Sequence, residues 1–227
     1  MVKLKNGILI TFEGTEGSGK STLIRSLCVA LKRFDIPVVQ TREPGGSQVA
    51  EKIRSLVLNE EMDSRTELFL YEAARSVHWT TVIQPALSRG AIVLCDRFTD
   101  STLAYQAFAR GLPWKEVKQL NRMATSGGKP HLTILLDIDP ETGLRRAQDP
   151  NRFEAAGVQF QKKVRSGYLK ARSEDPKRWL TLKVDKKSPE KLTLSVLEYL
   201  KRRFTKQFSQ IPSSSSLKSA VLEIYEN

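Results

Sequence analysis

Gly14, Gly19, Lys20 and Ser21 stand at the spacing G-x-x-x-x-G-K-[ST] in GTEGSGKS (14–21), directly after the apolar run ILITFE (8–13). Those residue types at that spacing hold a polyphosphate. Glycines at 14, 17 and 19 let the backbone turn tightly and aim successive N–H groups inward. A helix opening at Lys20 adds the partial positive charge of its N-terminus. Lys20 suits the β- and γ-phosphates, and the Ser21 hydroxyl suits Mg2+. Gly14, Thr15, Glu16, Gly17, Ser18, Gly19, Lys20, Ser21 and Thr22 together form the expected ATP cradle. A carboxylate for the metal is expected at the end of a neighbouring strand. Asp96 closes AIVLCD, while ILLDID also ends in acids, Asp137 and Asp139. Arg97 favours Asp96, because one turn then carries a carboxylate for metal and a cation for phosphate.

A phosphate cradle names no acceptor. No Asn-Lys-x-Asp guanine-reading segment is present, which argues against a GTPase, and the chain is short for a helicase or motor. Transfer between two nucleotides needs a second phosphate site, several arginines and exclusion of water. Arg42, Arg54, Arg75, Arg97, Arg145, Arg146 and Arg152 are available. Singly each reads as a surface arginine. Jointly they matter, because several follow strand ends, where open α/β sheets bind ligands.

The elements that must position these residues are legible as five short apolar, β-branched runs: 8–13, 38–43, 91–96, 132–138 and 179–184. Strands of that kind alternating with helices mean a parallel sheet covered on both faces. The pattern predicts an α/β P-loop NTPase fold with a five-stranded parallel sheet and a short lid. Helices are expected over about 20–32, 48–58, 64–87, 114–125, 140–147, 159–172 and 189–204. Residues 1–208 read as one domain. Beyond them, QIPSSSS (210–216) reads as a linker, and SLKSAVLEIYEN as a short amphipathic helix or a flexible extension.

The 227 residues suffice for one sizeable core, and 40% hydrophobic with 27% charged is an ordinary globular balance. No run approaches the roughly 18 apolar residues of a membrane span. The N-terminal apolar run meets Glu13 too soon for a signal peptide, so a cytoplasmic protein is expected. Cys28 and Cys95 lie in apolar runs and read as core, and His78 and His131 lack partners at metal-ligand spacing. The net charge of +12 raises nucleic acid as a partner, although a protein binding two polyanionic small molecules also collects lysine and arginine.

TREPGG (41–46), LYEAARSVH (70–78), DRFTDSTLAYQ (96–106) and NRFE (151–154) resemble the signature segments of bacterial thymidylate kinase, over about residues 8–200. The resemblance implies transfer of the γ-phosphate of ATP to dTMP, giving dTDP for dTTP synthesis, with Mg2+ and in a homodimer. No stable nucleic-acid complex and no membrane are expected. A broader deoxynucleoside monophosphate kinase is the alternative, and a nucleic-acid-stimulated ATPase a more distant one. It places Arg97 between the two nucleotides, with Arg42, Arg54 and Glu43 near the acceptor phosphate and Glu16 near the acceptor's sugar and the metal. Tyr71 matches a ring stacked on thymine, Arg75 a hydrogen-bond donor to a base carbonyl, and Thr102 and Gln106 readers of the base edge. Tyr105 matches a ring beneath the sugar, where a 2′-hydroxyl would crowd it. On residue type alone both tyrosines read as core. The loop interior, residues 15–18, carries no arginine, so the resemblance sends the catalytic cation to RRAQDPNRFE, Arg152 first and Arg146 second. The chain departs from the family pattern at Asn151, where Asp is common, at Tyr71 for Phe, and at Glu72 for a small or apolar residue.

Overall fold

The computed structural model describes residues 7–146, 157–185 and 187–226. Its five strands are β1 (Ile8–Glu13), β2 (Val38–Arg42), β3 (Ile92–Asp96), β4 (Leu132–Asp137) and β5 (Trp179–Lys183). They form one all-parallel sheet in the order β2-β3-β1-β4-β5. The central strands β1 and β4 are buried throughout, whereas the edge strands β2 and β5 are only partly so. Continuous apolar runs are the signature of strands covered on both faces.

The alternation of strand side chains separates two layers. Ile8, Ile10 and Phe12 of β1 pack with α1 (Lys20–Arg33) and with two helices from the C-terminal part of the chain. Leu9 points the other way, into a cluster with Trp79, Ile83 and Phe98. On that second face lie α2 (Gln48–Asn59), α3 (Ser64–His78), α4 (Gln84–Ser88), α5 (Thr99–Thr102) and α6 (Trp114–Ala124). Further on come α7 (Pro140–Arg146), α8 (Gly157–Glu174), α9 (Pro189–Arg203) and α10 (Ser214–Glu226).

Two helical segments depart from the expected pattern. The long helix predicted over 64–87 is interrupted by a π-helical turn, Trp79–Ile83. Pro85 has no N–H to offer, and its ring disfavours a regular ladder. The turn before it widens so that Gln84 N–H reaches Trp79 O, while the Thr81 hydroxyl donates to Val77 O at 2.6 Å. The stretch 99–109, absent from the predicted helices, is helical, with α5 running into a π-helical segment, Leu103–Ala109. The expected lid segment lies largely outside the described residues.

The C-terminal segment forms α10. Leu217 and Val221, one turn apart on one face, join the core beside α1 and α9. Arg33 Nη1 donates to Ala220 O at 3.3 Å, and the Thr193 and Tyr225 hydroxyls meet at 2.9 Å. Leu217→Ala should therefore cost about 2–4 kcal/mol of stability in urea denaturation, the price of a buried leucine and its cavity. An unchanged midpoint would mean that α10 does not hold this face in solution.

Candidate functional site

The loop between β1 and α1 carries Gly14, Gly17 and Gly19 at φ +148°, +67° and +86°, a region that side chains rarely adopt. A Cβ on Gly17 would lie 1.9 Å from Gly143 O, and one on Gly143 would lie 2.4 Å from Glu16 O. The loop is thus braced against α7 backbone to backbone. Lys20 Nζ donates to Gly14 O at 3.1 Å and Thr15 O at 3.0 Å. Burial, and next the Arg97 cation, lower the pKa of its ammonium. Ser21 Oγ donates to Asp96 Oδ2 at 3.1 Å. Asp96 Oδ1 is buried and has no hydrogen-bond partner among the described residues. The other two candidate carboxylates are engaged elsewhere. Arg165 holds Asp137 at 2.6 and 3.0 Å, and Asp139 accepts from Thr142 N at 3.1 Å near the start of α7.

Two pockets adjoin at this loop. The first, about 970 Å³ with its open mouth, is lined by residues 16–22 together with Arg42, Glu43, Arg54, Asp96, Arg97 and Arg146. The second, about 580 Å³, lies between α2, α3 and the 99–109 helix, and Tyr71, Arg75, Thr102, Tyr105 and Gln106 line it. Glu16, Glu43, Arg54 and Arg97 line both.

Arg75 anchors the second pocket while only 2% exposed. Its Nε donates to Glu43 Oε2 at 2.8 Å, Nη1 to Asn121 Oδ1 at 2.7 Å, and Nη2 to Phe98 O at 3.2 Å. Glu72 Oε1 forms an ion pair with Nη1 at 3.0 Å. Burial pulls the Arg75 pKa down, but Glu72 and Glu43 outweigh it and the net shift is upward. Burial raises the Glu72 carboxyl, with Arg75 opposing. His78 continues the chain inward: its Nδ1 lies 3.0 Å from Glu43 Oε1 and its Nε2 lies 2.6 Å from Thr41 Oγ1. This histidine is an internal brace. Gln106 donates to Glu67 Oε1 at 2.8 Å, which orients its amide from behind.

Arg97 adopts φ +66°, a left-handed conformation that costs a non-glycine residue about 1 kcal/mol. The turn sends its side chain back over the loop. Nη1 donates to Gly14 O at 3.1 Å, Nη2 donates to Glu16 Oε1, and the guanidinium sits 5.2 Å over the Tyr105 ring. Tyr105 OH also donates to Glu16 Oε1, at 3.1 Å. Burial disfavours the Arg97 charge, but Glu16 together with Tyr105, Tyr168 and Asp96 outweighs it and the net shift is upward.

The residues expected from the sequence for the two nucleotides therefore gather around one cleft, with distinctions. Arg42 is held by both Glu51 oxygens, at 3.1 and 2.9 Å, and lines only the loop pocket of the two. Arg54 donates to Pro44 O at 2.9 Å. Arg146 lines the loop pocket, whereas Arg145 donates to Thr142 Oγ1 at 3.1 Å. Arg152 lies outside the described residues. Pro44, Leu58, Phe98 and Ser101 also line the second pocket and were not singled out by the sequence reading. Ser101 sits inside DRFTDSTLAYQ, so helical spacing from Tyr105 was the available signal. Asn121, Glu13 and Tyr168 carried no local signal at all.

The family described as Thymidylate kinase matches residues 12–194. A thymidylate kinase of Bacillus velezensis is 45% identical over 190 residues, covering 80% of this chain and 90% of its own. One from a Geobacillus species is 50% identical over 172 residues, covering 72% and 82%. The crystal structure of thymidylate kinase from Ehrlichia chaffeensis superposes with a TM-score of 0.70 at 32% identity, covering 86% of this chain and 99% of that one.

The Arg75 cluster generates a stability prediction. Arg75→Met would leave Glu43 and Glu72 buried without their cation, at a cost of about 3–5 kcal/mol near neutral pH. The Glu72 carboxyl, already raised by burial and no longer opposed by Arg75, would rise further above its unfolded value. The deficit should therefore shrink as pH falls toward the unfolded carboxyl range and grow as pH rises. Urea denaturation at several pH values reads both effects, and a deficit independent of pH would contradict the pairing.

Proposed function

The chain belongs to the thymidylate kinase family, which moves the γ-phosphate of ATP onto dTMP to give dTDP and ADP, and from that premise we propose how its residues divide the work. One observation carries the assignment: Glu16, Glu43, Arg54 and Arg97 form a wall common to both pockets. Donor and acceptor phosphates brought to that wall would face each other. The loop 14–22 takes the ATP phosphates, with Lys20 leaving its carbonyl contacts for them. The adjoining groove of Thr22, Arg146, Val184 and Lys187 takes the adenosine end.

The second pocket takes dTMP. Tyr71 stacks on the base, and Arg75, Thr102 and Gln106 address its edge. Tyr105 packs beneath the sugar with its hydroxyl tied to Glu16. Arg97 and Arg54 hold the acceptor phosphate, and Arg42 stands at the rim. The attacking atom is a phosphate oxygen already largely ionised near neutral pH, so a general base is not required. Rate then comes from orientation and charge neutralisation. Arg146, and Arg152 in the segment beyond α7, supply the cation absent from the loop interior.

Ser21 and Asp96 fit a divalent cation such as Mg2+, on the strength of the buried, unpartnered Asp96 Oδ1 beside the Ser21 hydroxyl. Such an ion binds through one or two protein oxygens plus substrate phosphates, and when bound neutralises phosphate charge. Residues 1–208 carry the transferase, with 209–227 as an appended segment. A homodimer is supported by exposed apolar side chains on α2, α3 and α6: Val49, Leu56, Phe69 and Met123. No helix among the described residues is long and apolar enough to cross a membrane, and a cytoplasmic site of action is part of this proposal. Nucleic acid and membrane are not partners in it.

Coupled ADP release should depend on dTMP. Arg97→Ala should lower kcat by about a hundredfold or more while ATP affinity, read by calorimetry, stays within about threefold. Near-parental turnover would remove Arg97 from the phosphate site. The parent should also prefer dTMP over UMP by at least about tenfold in kcat/KM, because the Tyr105 ring crowds a 2′-hydroxyl. Equal use of the two would refute that contact.

A further inference from the structure

The Arg97 guanidinium meets one hydrogen-bonding partner outside the phosphate loop among the described residues. Its Nη1 donates to Tyr168 OH at 3.0 Å. Tyr168 lies on α8, and its hydroxyl is also 2.8 Å from Ser101 Oγ and 3.1 Å from Glu13 Oε2. Ser101 donates to the same Glu13 oxygen at 2.6 Å, while Glu13 Oε1 accepts from Phe98 N at 2.8 Å. Strand β1, helix α5 and helix α8 thus close on a single buried point beneath the guanidinium. Glu13 and Tyr168 are fully buried, and neither lines either pocket.

We propose that Tyr168 and Glu13 are positioning residues for phosphoryl transfer, setting the Arg97 guanidinium where the two nucleotides meet. The proposal rests on the assignment of Arg97 to the acceptor phosphate. The other hydrogen bonds of the Arg97 guanidinium run to Gly14 and Glu16, both on the loop. Without the Tyr168 hydroxyl, only the Gly14 carbonyl and the Glu16 carboxylate hold the cation, and both draw it toward the donor side. An arginine left to sample rotamers loses the orientation that a bidentate phosphate contact needs.

Glu13 controls the charge under this junction. Its carboxyl is lifted to about 8, chiefly by burial and next by Asp100. The charged and titratable groups facing it are Asp100 on α5, Arg97 and Cys95 around β3, Tyr168 on α8, Lys20 on α1, and Arg178 ahead of β5. A neutral Glu13 leaves the Arg97 charge to the substrate phosphates. An ionised Glu13 sets an anion one hydroxyl away from the guanidinium, in competition with them.

Steady-state kinetics on the full chain test the proposal, with Tyr168→Phe, Glu13→Gln, Arg97→Lys and the Tyr168→Phe/Arg97→Lys double variant. Tyr168→Phe keeps the ring and its edge contact with Tyr105. It should lower kcat/KM for dTMP about tenfold or more while KM for ATP stays within about twofold. In the Arg97→Lys background the same change should matter less than about twofold, because the partner it orients is gone. The parent's kcat/KM for dTMP should fall as pH rises through about 8, and Glu13→Gln should lack that fall.

A Tyr168→Phe variant indistinguishable from the parent, or equal losses in both backgrounds, overturns the proposal. So does an unaltered alkaline fall in a folded Glu13→Gln. If Glu13→Gln does not fold, the double-variant comparison still decides. Full turnover by Arg97→Lys with dTMP would instead defeat the underlying assignment of Arg97, which keeps the two failures distinct.

Discussion

Phe12 of β1 lies in parallel register with Asp96 of β3, and Asp96 in turn with Arg42 of β2. This row of three is the constraint on which the site depends. One residue beyond it, the chain delivers Glu13 and then the loop glycines from β1, Arg97 from β3 and Glu43 from β2. A shift of one strand by a single residue would turn these side chains to opposite faces of the sheet. The continuous apolar faces of β1 and β3, packed on both sides, resist such a shift. Core packing and phosphate chemistry are therefore set by the same register.

The charges around the cleft are held by one another before any ligand enters. Arg75 balances Glu43 and Glu72, Arg97 leans on Glu16, and Arg178 pairs with Asp100 at 2.7 Å. Buried pairs of this kind add little net stability, because desolvation offsets most of their attraction. Their effect is to fix direction. A guanidinium already aimed by its partners has less motion to lose when a phosphate or a base edge arrives.

The sheet was legible in the sequence because β-branched, continuous apolar runs have few alternatives. The phosphate loop was legible because its chemistry needs glycine at fixed places. Pattern alone did not choose among Asp96, Asp137 and Asp139, and the differences among them are spatial: Arg165, far along the chain, occupies Asp137, and Thr142 N donates to Asp139. The π-helical turns were hidden because they follow from the proline and from packing and have no period of their own. The tail was ambiguous for a compositional reason. Serine and proline ahead of it suggest a linker, and only the face of α1 and α9 turns Leu217 and Val221 into core. Tyr168 and Glu13 are 155 residues apart, beyond any local signal.

Between the phosphate loop and α7 there is no side chain at all at the closest approach, only Gly17 against Gly143 and the Glu16 carbonyl. Backbone against backbone leaves no rotamer at that point to absorb a displacement. Arg146 lies three residues beyond Gly143 on the same helix. The backbone of Arg146 is thus tied to the backbone of residues 16 and 17.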